Sequence, residues 1–91
     1  MNLPQIASTV YIVDDDEAVR DSLRWLLEAN NYRVRAYASA EAFLAEYDEQ
    51  QPGVLIVDVR MPGMSGLELQ EQLIVRKSSM PVVFITGHGD I

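Results

Sequence analysis

The sequence predicts an α/β fold built on a four-stranded parallel sheet. Three observations predict it. Short apolar runs at Val10–Val13, Val54–Val57 and Val82–Ile85 alternate with segments whose apolar residues recur at helical spacing. Acidic residues stand immediately after two of those runs. Strands separated by helices need crossover connections, which make neighbouring strands parallel and the crossovers right-handed. The 91 residues suffice for one domain; residues 1–8 read as a short leader and 9–91 as the folded unit.

The elements follow in order. Val10-Tyr11-Ile12-Val13 is apolar without alternation, as suits a strand buried on both faces. Asp14, Asp15 and Asp16 come next, and Asp15 or Asp16 is placed to cap a helix whose N-terminal end favours negative charge. That helix runs to about Asn30, with Val19, Leu23, Leu26 and Leu27 as its apolar stripe; Trp25 reads as packed partly on its flank, with a partner-facing anchor as the alternative. Arg33-Val34-Arg35-Ala36-Tyr37 alternates, so it belongs at a sheet edge with its arginines facing solvent. Ser39 caps a second helix, Ala40 to Glu49, which turns Phe43, Leu44 and Tyr47 inward before Gln51-Pro52-Gly53 breaks the pattern. The apolar strand Val54–Val57 ends at Asp58, and a loop follows through Met61-Pro62-Gly63-Met64. Ser65 and Glu68 match a capping box for a third helix, which reaches about Arg76 and buries Leu67, Leu69 and Leu73. The fourth strand is Val82 to Thr86.

An alternating strand at the edge and the most apolar strands in the centre give the spatial order 2-1-3-4. In open parallel sheets the working residues gather beyond the carboxyl ends of the strands, where the order reverses. Here those ends carry Asp14, Asp15, Asp58 and Thr86.

Composition narrows the function. Seven basic and 14 acidic residues leave a net charge of -7, which disfavours direct binding to a phosphate backbone. There is no Cys, so disulfide frameworks and thiolate metal sites are excluded. No apolar run approaches the ~20 residues of a membrane span, and Met1-Asn2-Leu3-Pro4-Gln5 does not begin a signal peptide. The expectation is a soluble, cytoplasmic protein that contacts no membrane. The turn after the first strand has acids where a nucleotide-binding fold needs a glycine-rich loop.

Carboxylates converging in one crevice must be relieved. Two like charges about 4 Å apart repel by roughly 4 kcal/mol at an effective dielectric near 20. Hard oxygen donors without Cys or His suit Mg²⁺, which also accepts phosphate oxygens. A carboxylate held beside such an ion can attack a phosphoryl group and carry it as an aspartyl phosphate. The Thr86 hydroxyl is placed to bind a phosphoryl oxygen, and Gly87 permits close backbone approach.

These segments resemble a known family. Val10-Tyr11-Ile12-Val13-Asp14-Asp15, Val57-Asp58-Val59-Arg60-Met61-Pro62-Gly63-Met64-Ser65-Gly66 and Ile85-Thr86-Gly87 resemble response-regulator receiver domains of two-component signalling. The resemblance covers nearly the whole chain from about residue 9. It implies a flavodoxin-like, doubly wound parallel sheet. It further implies that Asp58 accepts a phosphoryl group from the phosphohistidine of a sensor histidine kinase. Mg²⁺ would be held by Asp14, Asp15, Asp58 and the backbone carbonyl of Arg60. Thr86 would be the switch hydroxyl and the Gly87 backbone would meet the phosphoryl group. The ending Thr86-Gly87-His88-Gly89-Asp90 is similar to receivers that control LuxR-type helix-turn-helix outputs, so the implied role is control of transcription. Such a domain is an acceptor that assists its own phosphorylation and dephosphorylation, not a turnover enzyme.

The resemblance also implies a further helix, strand and helix, the fifth strand ending in a Lys that pairs with the phosphoryl group. The only Lys here is Lys77, at the end of the third helix, so no residue takes that role. The chain therefore reads as an incomplete receiver domain whose fourth strand is an open edge. Self-association through Val82 to Ile85 is expected from that edge. The alternative function is an interaction module that self-associates and is not phosphorylated; a Mg²⁺-dependent phosphohydrolase is a third, disfavoured because Arg60 cannot serve as an acid or base near Asp58.

Overall fold

A computed structural model describes residues 8–86. The leader lies outside the described residues apart from Ser8, and so does Gly87. Seven elements succeed one another: β1 (Thr9–Val13), α1 (Glu17–Ala29), β2 (Arg33–Tyr37), α2 (Ala40–Glu46), β3 (Gly53–Asp58), α3 (Gly66–Val75) and β4 (Val82–Ile85). The four strands form one parallel sheet in the order β2-β1-β3-β4, as the apolar patterning predicts.

The sheet has two differently covered faces. On one, Tyr11, Val13, Leu55 and Val57 pack against Ala40 and Phe43 of α2 and Leu69 and Leu73 of α3. Phe43 is the hub of that layer. Its ring centroid lies 5.4 Å from Tyr11, 5.6 Å from Tyr37 and 5.4 Å from Tyr47. The first two contacts are edge-on, which sets the positive rim of one ring against the negative face of another. On the opposite face, Val10, Ile12 and Val34 meet Leu23 and Leu27 of α1, with Ala36 and Ile56 beside them.

Caps fix the helix starts. Asp16, rather than Asp15, caps α1: its carboxylate accepts the N–H groups of Ala18 and Val19. Ser39 caps α2 through the Ala42 N–H. Ser65 and Glu68 form the reciprocal capping box read from the sequence.

Four expectations are corrected. Helix α2 stops at Glu46, not Glu49, because Tyr47 leaves helical geometry and packs against Phe43. The Tyr47 hydroxyl then lies 2.6 Å from Ser78 Oγ. Leu26 is 59% exposed, since the stripe of α1 that meets the sheet is narrower than its apolar residues. Leu67 is 52% exposed, because α3 turns Leu69 and Leu73 to the sheet instead. Trp25 is 80% exposed, so its indole stands clear of the helix flank. Among the described residues, no helix is long and apolar enough to cross a membrane.

Removing the hub removes the most widely shared contact of the α2/α3 face. Phe43→Ala is expected to cost about 3–5 kcal/mol, seen in urea unfolding followed by far-ultraviolet circular dichroism. A loss below about 1 kcal/mol would show that the aromatic cluster collapses around the gap.

Candidate functional site

The register of the central pair builds the site. β1 and β3 run in parallel with Val13 opposite Val57, so the next residues, Asp14 and Asp58, emerge together at the carboxyl edge. Both are almost completely buried. Asp15 is exposed beside them. One carboxylate oxygen from each of the three can be chosen so that all lie within 4.8 Å of one another.

Backbone donors hold two of these groups. Asp14 Oδ1 accepts the Asp16 N–H at 2.8 Å, and Asp58 Oδ1 accepts the Arg60 N–H at 3.1 Å. The Arg20 guanidinium reaches back from α1 and donates to the Asp14 carbonyl at 2.8 Å. Behind Asp58 the chain is tightly packed. A Cβ on Gly66 would collide with the Asp58 carbonyl oxygen, so only glycine lets α3 begin this close to the end of β3. The Gly66 N–H closes the intervening loop on the Val59 carbonyl at 3.2 Å.

Asp14 Oδ2 is the uncompensated atom. It is buried and has no hydrogen-bond partner among the described residues. A buried carboxylate oxygen without a donor is costly, and a cation removes that cost. Burial pushes the Asp14 carboxyl above its ordinary range. The Asp16 N–H opposes this, while repulsion from Asp58, Asp15 and Asp16 adds to it. The donor set is all carboxylate, with Asp15 open to solvent for entry, and it fits a hard divalent cation that keeps some of its water.

The other residues named from the sequence are placed as follows. Arg60 follows Asp58 by two positions, with its N–H turned to that carboxylate. Thr86 directly follows Ile85, which is the register partner of Asp58, and it is exposed. Lys77 sits in a left-handed turn just after α3, in the connection that enters β4 from the opposite end of the sheet. Arg20 and Glu41 escape sequence reading. The first looks like an ordinary helix arginine and the second like a helix-start acid, yet Glu41 Oε2 accepts the Met64 N–H in the loop after Asp58 at 3.1 Å.

Linkage gives the sign of the electrostatic effect. The folded state holds the Asp14 proton to higher pH than the unfolded chain, whose value is near 3.8. Stability from this group is therefore greatest below that value and falls as pH rises through the folded value. At pH 7 without metal, Asp14→Asn is expected to melt above the parent, since the amide oxygen can still accept the Asp16 N–H. Mg²⁺ at ten times its Kd is expected to stabilise the parent by about 1.4 kcal/mol and the variant much less. Thermal melts with and without Mg²⁺ check both signs.

Comparison with known proteins agrees with this geometry. Residues 10–91 match the family described as the response regulator receiver domain. The chain is 51% identical over 83 residues to the transcriptional regulatory protein FixJ of Rhizobium meliloti (strain 1021), covering 91% of this chain and 41% of that protein. It is 46% identical over 85 residues to the response regulator protein TodT of Pseudomonas putida, covering 93% and 37%. Among solved structures, it superimposes on the response regulator StyR with a TM-score of 0.87 at 49% identity, over 93% of this chain and 43% of that one. It superimposes on the crystal structure of FixJ-N with a TM-score of 0.83 at 50% identity, over 92% and 67%. The chain spans about two fifths of the length of the curated relatives it matches. A four-stranded parallel sheet, an acidic cluster at its carboxyl edge and a family match over most of the sequence lead to one assignment: the chain belongs to the response regulator receiver domain family.

Proposed function

We propose that this domain is the phosphoacceptor of a two-component response regulator, taking a phosphoryl group onto Asp58 from a sensor histidine kinase and thereby controlling transcription. The observation that carries the proposal is the grouping of Asp14, Asp15 and Asp58, one carboxylate oxygen of each within 4.8 Å of the others, with Asp14 Oδ2 buried and unpartnered among the described residues. The names of the relatives, a transcriptional regulatory protein and a response regulator, support placing the output at transcription. With a net charge of -7, this segment itself is a poor ligand for nucleic acid.

The chemistry follows from the residues. The Asp58 carboxylate attacks phosphorus, the phosphorus–nitrogen bond to the donor imidazole breaks, and the departing nitrogen takes a proton from solvent. The Arg60 N–H fixes the orientation of the carboxylate during approach. Asp14, Asp15, Asp58 and the Arg60 carbonyl would hold Mg²⁺, which neutralises charge gathering on the phosphoryl oxygens. Thr86, beyond the end of β4, would meet the phosphorylated Asp58 through its hydroxyl and act as the switch, and Gly87 would bring its backbone to the same group. The domain is the acceptor in this transfer, with no small-molecule product of its own beyond inorganic phosphate on hydrolysis.

Incubation with acetyl phosphate and Mg²⁺, read by intact mass, tests the reading. The parent is expected to gain one phosphoryl group and Asp58→Asn none. No gain in the parent, or an equal gain in Asp58→Asn, overturns Asp58 as acceptor.

A second reading, self-association, rests on the sheet edges. Among the described residues β4 pairs with β3 alone, carries no charge from Val82 to Ile85, and leaves Val83 48% exposed. The other edge, β2, is guarded by exposed Arg33 and Arg35. A second copy added along β4 would pair with the backbone groups that this strand leaves open among the described residues. Size-exclusion chromatography with light scattering at tens of micromolar is expected to give a dimer; a monomer at that concentration overturns it.

A further inference from the structure

The loop from Val59 to Ser65 joins the end of β3 to the start of α3 and contains Arg60, whose carbonyl is one of the ligands in the functional reading above. Its base is closed by the Gly66 N–H on the Val59 carbonyl. Its far end enters α3 through the Ser65–Glu68 capping box. The tip between them is Met61-Pro62-Gly63-Met64.

That tip is held from a different element. Glu41, in the first turn of α2, accepts the Met64 N–H through Oε2 at 3.1 Å across 23 residues of sequence. The neighbouring residue is adapted to the same contact. Gly63 has a φ of +75°, a conformation that glycine adopts without steric cost. An added Cβ there would stand 2.9 Å from Glu41 Oε2. The missing side chain therefore serves both the turn and the seat of the carboxylate. On the opposite side of the loop, Arg60 is pinned by its N–H to Asp58. Asp58 and Glu41 thus hold the two sides of one short loop, and only the first belongs to the acidic cluster.

We infer that Glu41 is a positioning residue: by holding the Gly63–Met64 tip against α2, it fixes the loop so that the Arg60 carbonyl and the Asp58 carboxylate face the cation together. The inference rests on the receiver reading for the identity of the cation and its ligands. A charge-assisted hydrogen bond to a backbone N–H limits the loop's freedom without touching the ion. Pre-ordered ligands bind a metal more tightly than ligands that must be ordered on binding. The carboxylate's own charge is secondary, because a neutral carbonyl oxygen at the same place can accept the same N–H.

Two variants and two measurements test it. In the metal-free protein, hydrogen exchange at the Met64 amide is expected to quicken about tenfold in Glu41→Ala and to stay near the parent rate in Glu41→Gln. In titration calorimetry, the Mg²⁺ Kd is expected to rise threefold or more in Glu41→Ala and to be restored within twofold by Glu41→Gln. Glu41 lies on the surface, and thermal melts of both variants report whether the fold is retained. An unchanged Kd in Glu41→Ala overturns the inference, whether or not the melting temperature falls. Failure of Glu41→Gln to restore the Kd also overturns it, because the effect would then be one of charge. Acetyl phosphate labelling of the parent judges the functional reading separately. A parent that binds Mg²⁺ but stays unlabelled, with Kd shifted in Glu41→Ala, sinks that reading and upholds the inference; a parent that binds no Mg²⁺ overturns both.

Discussion

The structure is organised around carboxylates held in a place that disfavours them. The pairing of β1 with β3 is fixed by two apolar strands buried in the centre of the sheet, and it delivers Asp14 and Asp58 to the same edge. A shift of one residue would turn every side chain of a strand to the other face, so the separate packing of Tyr11, Val13, Leu55 and Val57 against α2 and α3 and of Val10 and Ile12 against α1 also locks the acidic pair. The surroundings then act on that pair. Asp16 and Arg60 supply N–H groups, and Arg20 steadies the turn through a carbonyl. These donors leave Asp14 Oδ2 unanswered. The same backbone order that stabilises the sheet thus preserves a local electrostatic cost at the place where the family match and the donor set point to a cation.

The helices divide the work. On one face α1 packs its stripe over Val10, Ile12 and Val34, and its first turn begins at the capping Asp16, two residues after Asp14. On the other, α2 and α3 share the Phe43 layer and place the loop after Asp58 between their N-termini, held by Glu41 from one and by Glu68, which accepts the Ser65 N–H, from the other. Site and core are therefore not separate layers. Residues that bury apolar surface on α2 and α3 set the distance over which the Glu41 and Gly66 contacts act.

Much of this was legible in the sequence, for identifiable reasons. Val10–Val13 lacks alternation because both of its faces are covered, and Val54–Val57 is apolar throughout although Val54 and Ile56 are only half-buried; Arg33–Tyr37 alternates because it lies at an edge. The cluster of Asp14, Asp15 and Asp58 was legible because parallel topology collects strand ends on one side. Periodicity identified the apolar stripes but not their width: Leu26 and Leu67 satisfy the spacing and still face solvent, because each helix meets the sheet along a narrow line. The early end of α2 depends on a tertiary contact of Tyr47 that no local pattern encodes. Glu41 was hidden for a similar reason. Its partner is a backbone N–H, which has no signature in the alphabet of side chains.

The position of Trp25 has a spectroscopic consequence. It is the only tryptophan in the chain, and its indole is 80% exposed on α1. A hydrated indole has nearly the same environment in the folded and unfolded chain, so its emission wavelength is a poor monitor of unfolding. The tyrosines around Phe43 are the opposite case: Tyr11, Tyr37 and Tyr47 sit in fixed, asymmetric contact with a buried ring. Their near-ultraviolet dichroism reports the integrity of the core, and the tryptophan signal is left free to report whatever comes to rest against α1. A single polypeptide thus carries two optical channels, one for its interior and one for its outer surface, with no label attached.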